Sequence, residues 1–412
     1  MSVQPIFILG GYQTDFARSW GKENLGLTDM IAESVPQTLA QAQVAAADIE
    51  TIHVGNLAGE LFAGQAQLGG IVVAQDRDFE GCPSARHEAA CASGSIAVGA
   101  ALAEIRAGIH DVALVIGVEQ MRNVPAQQAA ANLGSAAWVG REAQDADYAW
   151  PALFAAIAQE YDDRFGLDMD ALGQFAQIAF DNARTNPHAQ SRDWAMSDRA
   201  FTSDPIVNPR VEGILRKNDC GRITDGAAGL VLAGRQFAEK WAADHDKSLD
   251  DLPRIDGFGH TTSTLLLSDK FELSAGRELM FPQLARAVNS ALNQAEIADI
   301  KGIDTAEVHD CFTISGLMAV EHLGLAEPGE GAAAILDGVT TRDGELPINP
   351  GGGLMAAGHP VGATGVRMIV DAAAQVTGVA GESQIDGART ALTVNIGGSY
   401  TTVCSAVVRS GC

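Results

Sequence analysis

Four short stretches carry residue types that could do chemistry. In "HEAACASGSIAVGAALAEI" (87–105), Cys91 stands where an apparent strand turns into a helix. A thiol at a helix start meets unpaired backbone N–H groups and the positive end of the helix dipole. Both favour thiolate, so the expectation is a lowered pKa. Ala92, Ser93, Gly94 and Ser95 are small and leave room for a substrate. A cysteine packed into a helix start is the alternative, and Cys91 alone does not decide between them. In "NPGGGLMAAGHPVGATG" (349–365), His359 sits in a glycine-rich loop, again just before a helix. An imidazole beside a thiol can take its proton or donate to a developing oxyanion. The loop lacks the Lys-Ser/Thr of a phosphate-binding loop and the spacing of a dinucleotide fingerprint. "EVHDCF" (307–312) sets His309, Asp310 and Cys311 at a strand end, where α/β sheets gather their active sites. No partner pair with zinc spacing stands nearby, so no metal is expected. "NIGGSY" (395–400) reads as a tight turn whose Gly397 N–H could point into the same site.

These stretches need a scaffold, and the rest of the chain predicts an α/β one. "PIFILGGY", "IETIHVG", "DVALVIGVEQM" and "DGAAGLVLAG" read as buried strands. They alternate with helical patterns, which implies a parallel sheet. The region 122–221 reads as a helical excursion between two strands, with "WPALFAAIAQEYDDRFG" and "MDALGQFAQIAFDNART" as its helices. Helices near 92–106 and 360–376 both start in small-residue loops and both precede a strand, so the second half repeats the first in outline.

Composition bounds the function. With 52 acidic and 27 basic residues in 412, the net charge is −25. Such a chain repels nucleic acid and anionic membranes, so neither is an expected partner. No apolar stretch reaches the ~18 residues of a spanning helix, and no leader pattern is visible at the start. Cys82, Cys91, Cys220, Cys311, Cys404 and Cys412 are scattered without metal-ligand spacing. That predicts a reducing, cytoplasmic setting rather than a disulfide framework.

Taken together, the chain resembles the thiolase superfamily. "PIFILGGYQTDFAR" resembles its N-terminal strand and turn, "AACASGS" its nucleophile motif, "TDGAAGLVLA" the strand after its loop domain, and "GGGLMAAGHPVGATG" its GHP block. The resemblance implies a thiolase fold: two pseudo-duplicated βαβαβαββ halves forming a five-layered αβαβα core with an inserted loop domain. The implied division is 1–121 plus 222–265, an insert at 122–221, and 266–412. Mainstream members carry Asn-Glu-Ala-Phe where this chain has His309-Asp310-Cys311-Phe312, and Cys-x-Gly where it has Asn395-Ile396-Gly397. The HDCF form resembles the sterol-carrier-protein type, in which the cysteine at the position of Cys311 takes over acid/base duty. No lipid-transfer domain is expected beyond the last strand.

The resemblance implies an acyl-CoA acyltransferase, acetyl-CoA acetyltransferase-like, with coenzyme A as substrate or product and no separate cofactor. Cys91 becomes the nucleophile, His359 its base, Cys311 the acid/base on the α-carbon, and His359 and His309, the latter through a water, the candidate donors to the enolate oxygen. Gly397 joins Cys91 in an oxyanion hole. Arg210, Arg216, Lys217 and Arg222 cluster at the end of the insert and are candidates for the CoA phosphates. A homodimer or dimer of dimers is implied, and some relatives use a small OB-fold partner. Two other readings stay open: a ketoacyl-synthase-like condensing enzyme, and a non-catalytic acyl-CoA-binding subunit of a larger complex. Decarboxylative condensation needs no α-proton base, so Cys311 weighs against the first. The intact Cys91, Cys311 and His359 weigh against the second.

Overall fold

A computed structural model of the chain describes residues 4–411, so Cys412 lies outside the described residues. The strands of the first half are β1 Ile6–Gln13, β2 Thr51–Gly55, β3 Ser84–His87 and β4 Val112–Glu119. A small hairpin follows, β5 Arg210–Glu212 with β6 Leu215–Arg216, and then β7 Gly226–Ala233. The second half supplies β8 Arg254–Thr262, β9 Thr305–Val308, β10 Thr390–Gly397 and β11 Thr402–Arg409. The helices that matter for the site are α1 Leu27–Ala42, α2 Ser93–Arg106, α3 Ala149–Phe165, α4 Met169–Ala183, α5 Pro282–Gln294, α6 Thr313–His322 and α7 Val361–Val376.

Side-chain alternation along the buried strands builds the layers. On β4, Val112, Leu114, Ile116 and Val118 join a core with α1 residues such as Met30, Ile31 and Val35. Ala113 and Val115 point the other way, into a core shared by α2 (Ala97, Val98, Ala101) and α7 (Val366, Ile369, Ala372). Ala391 of β10 and Ala406 of β11 reach that same middle core from the other half. Leu392, Val394 and Ile396 of β10 face away from it, onto α5 and α6. The stack is therefore helix, sheet, the α2–α7 pair, sheet, helix. Among the described residues, no helix is long and apolar enough to cross a membrane.

Two expectations are corrected. The sheet is mixed rather than parallel: β2–β3, β2–β4 and β9–β10 are parallel, whereas β4–β7, β1–β7 and β10–β11 are antiparallel. The last strand of each half returns by a short path or after the insert, so no crossover helix forces it parallel. The repeat is also incomplete. The second half lacks a counterpart of β3; in its place one bridge joins Ala306 to Ile348. Asn349 then binds both backbone groups of Val308, at 2.8 and 3.2 Å, standing in for a strand partner. The halves pair edge to edge at Ile6–Ile255 and Phe7–Arg254, which joins nine strands in one sheet.

Candidate active site

The two middle helices meet at their starts. A Cβ on Gly94 would lie 2.7 Å from the Gly362 carbonyl, and one on Gly362 only 2.5 Å from that of Val118. Only glycine permits this approach. Gly94 stands three residues after Cys91 and Gly362 three after His359, so the same crossing delivers both residues to one place. Cys91 is presented on a tight elbow: Ala90 has φ 52°, a left-handed conformation costing an L-residue about 1–2 kcal/mol. Ser93 holds the elbow, donating to Ala90 O at 2.6 Å and accepting from Ala89 N at 3.0 Å.

One ligand-type atom each of Cys91, His309 and His359 lies within 4.8 Å of the other two. The rings of His309 and His359 meet edge to face, with centroids 5.1 Å apart. Beyond β9 the extended chain alternates, so His309 and Cys311 face the cavity while Asp310 faces away and accepts from Leu354 N at 2.6 Å. Arg367 of α7 is buried behind them, bonded to Glu307 of β9 at 2.6 Å and to Asp371 at 2.7 Å.

Hydrogen bonds assign opposite tautomers to the two imidazoles. Thr364 Oγ1 donates its single proton to Pro360 O at 2.9 Å and lies 2.7 Å from His359 Nδ1. It must therefore accept from Nδ1–H, which leaves His359 Nε2 with its lone pair. That Nε2 is buried with no partner. Across the site, Ser95 Oγ donates to Asn395 Oδ1 at 2.8 Å, so the Asn395 Nδ2 faces His309 Nδ1 at 3.0 Å. His309 Nδ1 accepts, and its Nε2 carries the proton. This leaves His359 Nε2 an acceptor and His309 Nε2 a donor.

The expected low pKa of Cys91 is overturned. Burial pushes the thiol up to about 12, outweighing the N–H groups of Gly398 and of Cys91 itself. Burial, and then the Arg367 guanidinium, hold His359 down to about 3. His309 is likewise well below its ordinary value, and Cys311 well above, chiefly by burial. The resting pair is thus thiol and neutral imidazole. Below its pKa a thiol's thiolate fraction rises tenfold per pH unit. Alkylation of resting Cys91 by iodoacetamide is therefore expected to climb about tenfold per unit between about pH 6 and pH 9. A plateau near neutrality, measured by peptide mapping, would show a pre-formed thiolate instead.

The glycine-turn N–H that meets Cys91 is that of Gly398, next to the expected Gly397. Gly397 ends β10 and packs so tightly that a Cβ there would lie 2.1 Å from Ala89 O. Gly398 lines the cavity and directs its N–H to Cys91. Lys270 Nζ fixes this turn through Ser399 Oγ at 3.1 Å and Thr401 Oγ1 at 3.0 Å. The basic cluster does not converge on the cavity. Arg210 and Lys217 are exposed, and Arg216 donates to Asn208 O at 3.2 Å. Arg222 does line the cavity, but its guanidinium is spent on Lys217 O, Cys220 O and Asn218 Oδ1.

The cavity has a volume of about 230 Å³. Its reactive end holds Cys91, His309, Cys311 and His359, and its walls are apolar, with Leu57, Met121, Trp150, Phe154 and Phe312 among them. Phe154 stacks on Phe312 with centroids 4.3 Å apart. Trp150 and Phe154 come from α3 in the insert and were not foreseen. Their helical spacing in the sequence looks like any core face. Cys220, a third cysteine on the cavity wall, carries no local motif that would have marked it.

Comparison with known proteins agrees with this geometry. Residues 6–194 match the family model "Thiolase, N-terminal domain", and residues 267–410 match "Thiolase C-terminal domain-like". The acetyl-CoA acetyltransferase of Methanothermobacter thermautotrophicus is 33% identical over 400 residues, spanning 96% of this chain and 97% of that protein. Sterol carrier protein 2 of Homo sapiens is 26% identical, spanning 96% of this chain and 70% of that protein. Among solved structures, the "Ltp2-ChsH2(DUF35) aldolase" superposes with a TM-score of 0.79 at 19% identity, covering 100% of this chain and 99% of that one. An acetyl-CoA acetyltransferase from Syntrophomonas wolfei gives 0.71 at 18%, covering 100% of both chains. At those identities the structures speak for the fold.

Proposed function

The chain belongs to the thiolase superfamily, and on that premise we propose that it makes or thiolytically cleaves 3-ketoacyl-CoA through an acyl-cysteine. The observation that supports this reading best is the convergence of Cys91 with both imidazoles within 4.8 Å, beside a cavity that Cys311 also lines. Cys91 attacks the thioester carbonyl of an acyl-CoA as its proton moves to His359 Nε2. The tetrahedral oxyanion meets the Gly398 N–H. Cys311 protonates the departing CoA sulfur, which leaves an acyl-cysteine, an imidazolium and a Cys311 thiolate. The displaced burial costs of that ion pair make it short-lived and its thiolate strongly basic. Cys311 then takes the α-proton of a second acyl-CoA, and His309 Nε2–H holds the enolate oxygen. The carbanion attacks the acyl-cysteine. Cys91 leaves and recovers its proton from His359, so every proton is returned. Coenzyme A is substrate or product throughout.

Incubation with an acyl-CoA followed by mass spectrometry tests this directly. The expected result is one acyl increment on the Cys91 peptide. Its absence, with the protein folded, overturns the reading. A retro-aldol reaction, the activity named for one structural neighbour, has no need of a nucleophilic thiol, and the built Cys91–His359 pair favours acyl transfer over it. The edge strand β3 leaves backbone groups available to a second copy, in keeping with a homodimer.

The cavity also bounds the acyl group. A cavity of about 150 Å³ holds benzene, so 230 Å³ holds about nine non-hydrogen atoms, some of them the thioester and the end of the CoA arm. This favours acyl chains of about two to six carbons. The Trp150 ring closes the space over the turn, 3.8 Å from where a Cβ of Gly398 would stand. Trp150→Ala is expected to raise kcat/KM for an eight-carbon acyl-CoA about tenfold relative to a four-carbon one. Assays across a chain-length series check it.

A further inference from the structure

We propose that the same pocket is a reversible inhibitory site for a zinc-class divalent cation, held by Cys91 Sγ, His309 Nε2 and His359 Nε2. One ligand-type atom from each of the three residues already lies within 4.8 Å of the other two, and the Nδ1 atoms of both rings face Thr364 and Asn395. A tetrahedral site with bonds near 2.0–2.3 Å has ligand separations of about 3.3–3.8 Å, so a closure of at most about 1.0–1.5 Å, shared between two side chains, forms it. One thiolate and two imidazoles form a donor set that suits zinc and leave a fourth position for water or a thiol.

The surroundings of the two rings resemble those of metal-binding histidines. Each imidazole is oriented through Nδ1, His359 by Thr364 at 2.7 Å and His309 by Asn395 at 3.0 Å, which directs Nε2 inward. His359 Nε2 is a buried polar atom without a partner. His309 must change tautomer to bind. The change requires Asn395 to turn its amide and the Ser95 hydroxyl to accept from it in place of donating. On binding, the Cys91 thiol gives its proton to solvent, the S–H bond is exchanged for S–Zn, and the His309 proton moves from Nε2 to Nδ1. The cation occupies both the nucleophile and its base, so it excludes acyl-CoA chemistry while bound. The second imidazole is what completes the set; an asparagine at position 309 would leave two ligands.

Calorimetric titration of the resting, metal-free protein with zinc chloride tests the site without any CoA thioester, so it stands apart from the proposed reaction. One zinc per chain is expected. His309→Asn and Cys91→Ala should each weaken binding by at least the 10–100-fold typical of losing a supporting group, and Ser95→Ala by about tenfold. Cys82→Ala, outside the cavity, should leave the affinity unchanged. Cobalt(II) should give a thiolate-to-metal absorption band that Cys91→Ala abolishes. Circular dichroism confirms that each variant is folded. Absence of binding by the wild-type protein, or equal affinity in wild type, His309→Asn and Cys91→Ala, overturns the proposal.

Discussion

Cys91→Ala is expected to lower turnover by about 10⁴-fold or more and to erase the acyl increment on its peptide. The size of the loss follows from the site's construction. His359 Nε2 keeps its lone pair without a hydrogen-bond partner in the same cavity, so removing the sulfur leaves that base idle. The fold should tolerate the change, because Cys91 is half-buried at the cavity wall and alanine is smaller. Steady-state kinetics with peptide-mapped mass spectrometry measures both effects. Cys311 and Cys220 share the cavity, so the decisive outcome is where an adduct forms. An adduct on either of them at the wild-type rate would move the nucleophile away from position 91.

Cys311→Ala is expected to separate the two half-reactions. Departure of CoA as a thiolate needs little help, since an ordinary thiol ionises near pH 8.5. Removing an α-proton from a thioester needs a strong base in place, which is worth about 10²–10⁴-fold. Burial and the neighbouring Cys91 and Asp310 push the Cys311 thiol well up, so its thiolate, once formed, is a strong base. Deuterium exchange into acetyl-CoA should therefore fall by about 10²–10⁴-fold, while CoA release on acylation of Cys91 slows by less than about tenfold. Exchange at the wild-type rate, or equal losses in both steps, would remove Cys311 from its assigned role.

The polar residues that converge on the cavity were legible because each sits at an element end with a distinct local pattern. Cys91 and His359 precede helices, and His309 and Cys311 follow a strand. What surrounds them was not legible. Trp150 and Phe154 look like a core face in the sequence, yet they wall the cavity. Asn395 was noticed as a missing cysteine, not as the group that sets the tautomer of His309. Which N–H of the glycine turn meets Cys91 is set by how that turn packs, which the Gly-Gly pattern leaves open.

The amino-acid order by itself determined the alternation of strands and helices, the inserted region, and which side chains could react. These are properties of local pattern and chemical type. Only the packed chain decided the ionisation of those side chains, the partner that orients each imidazole, and the space left for an acyl group. Each of these depends on residues well separated along the chain: Ser95 with Asn395, Arg367 behind His309, and Trp150 against Gly398. Desolvation and hydrogen bonding act over a few ångströms of space, whatever the separation along the chain. A helix start therefore foretold a thiolate at Cys91, and burial by distant neighbours made it a thiol.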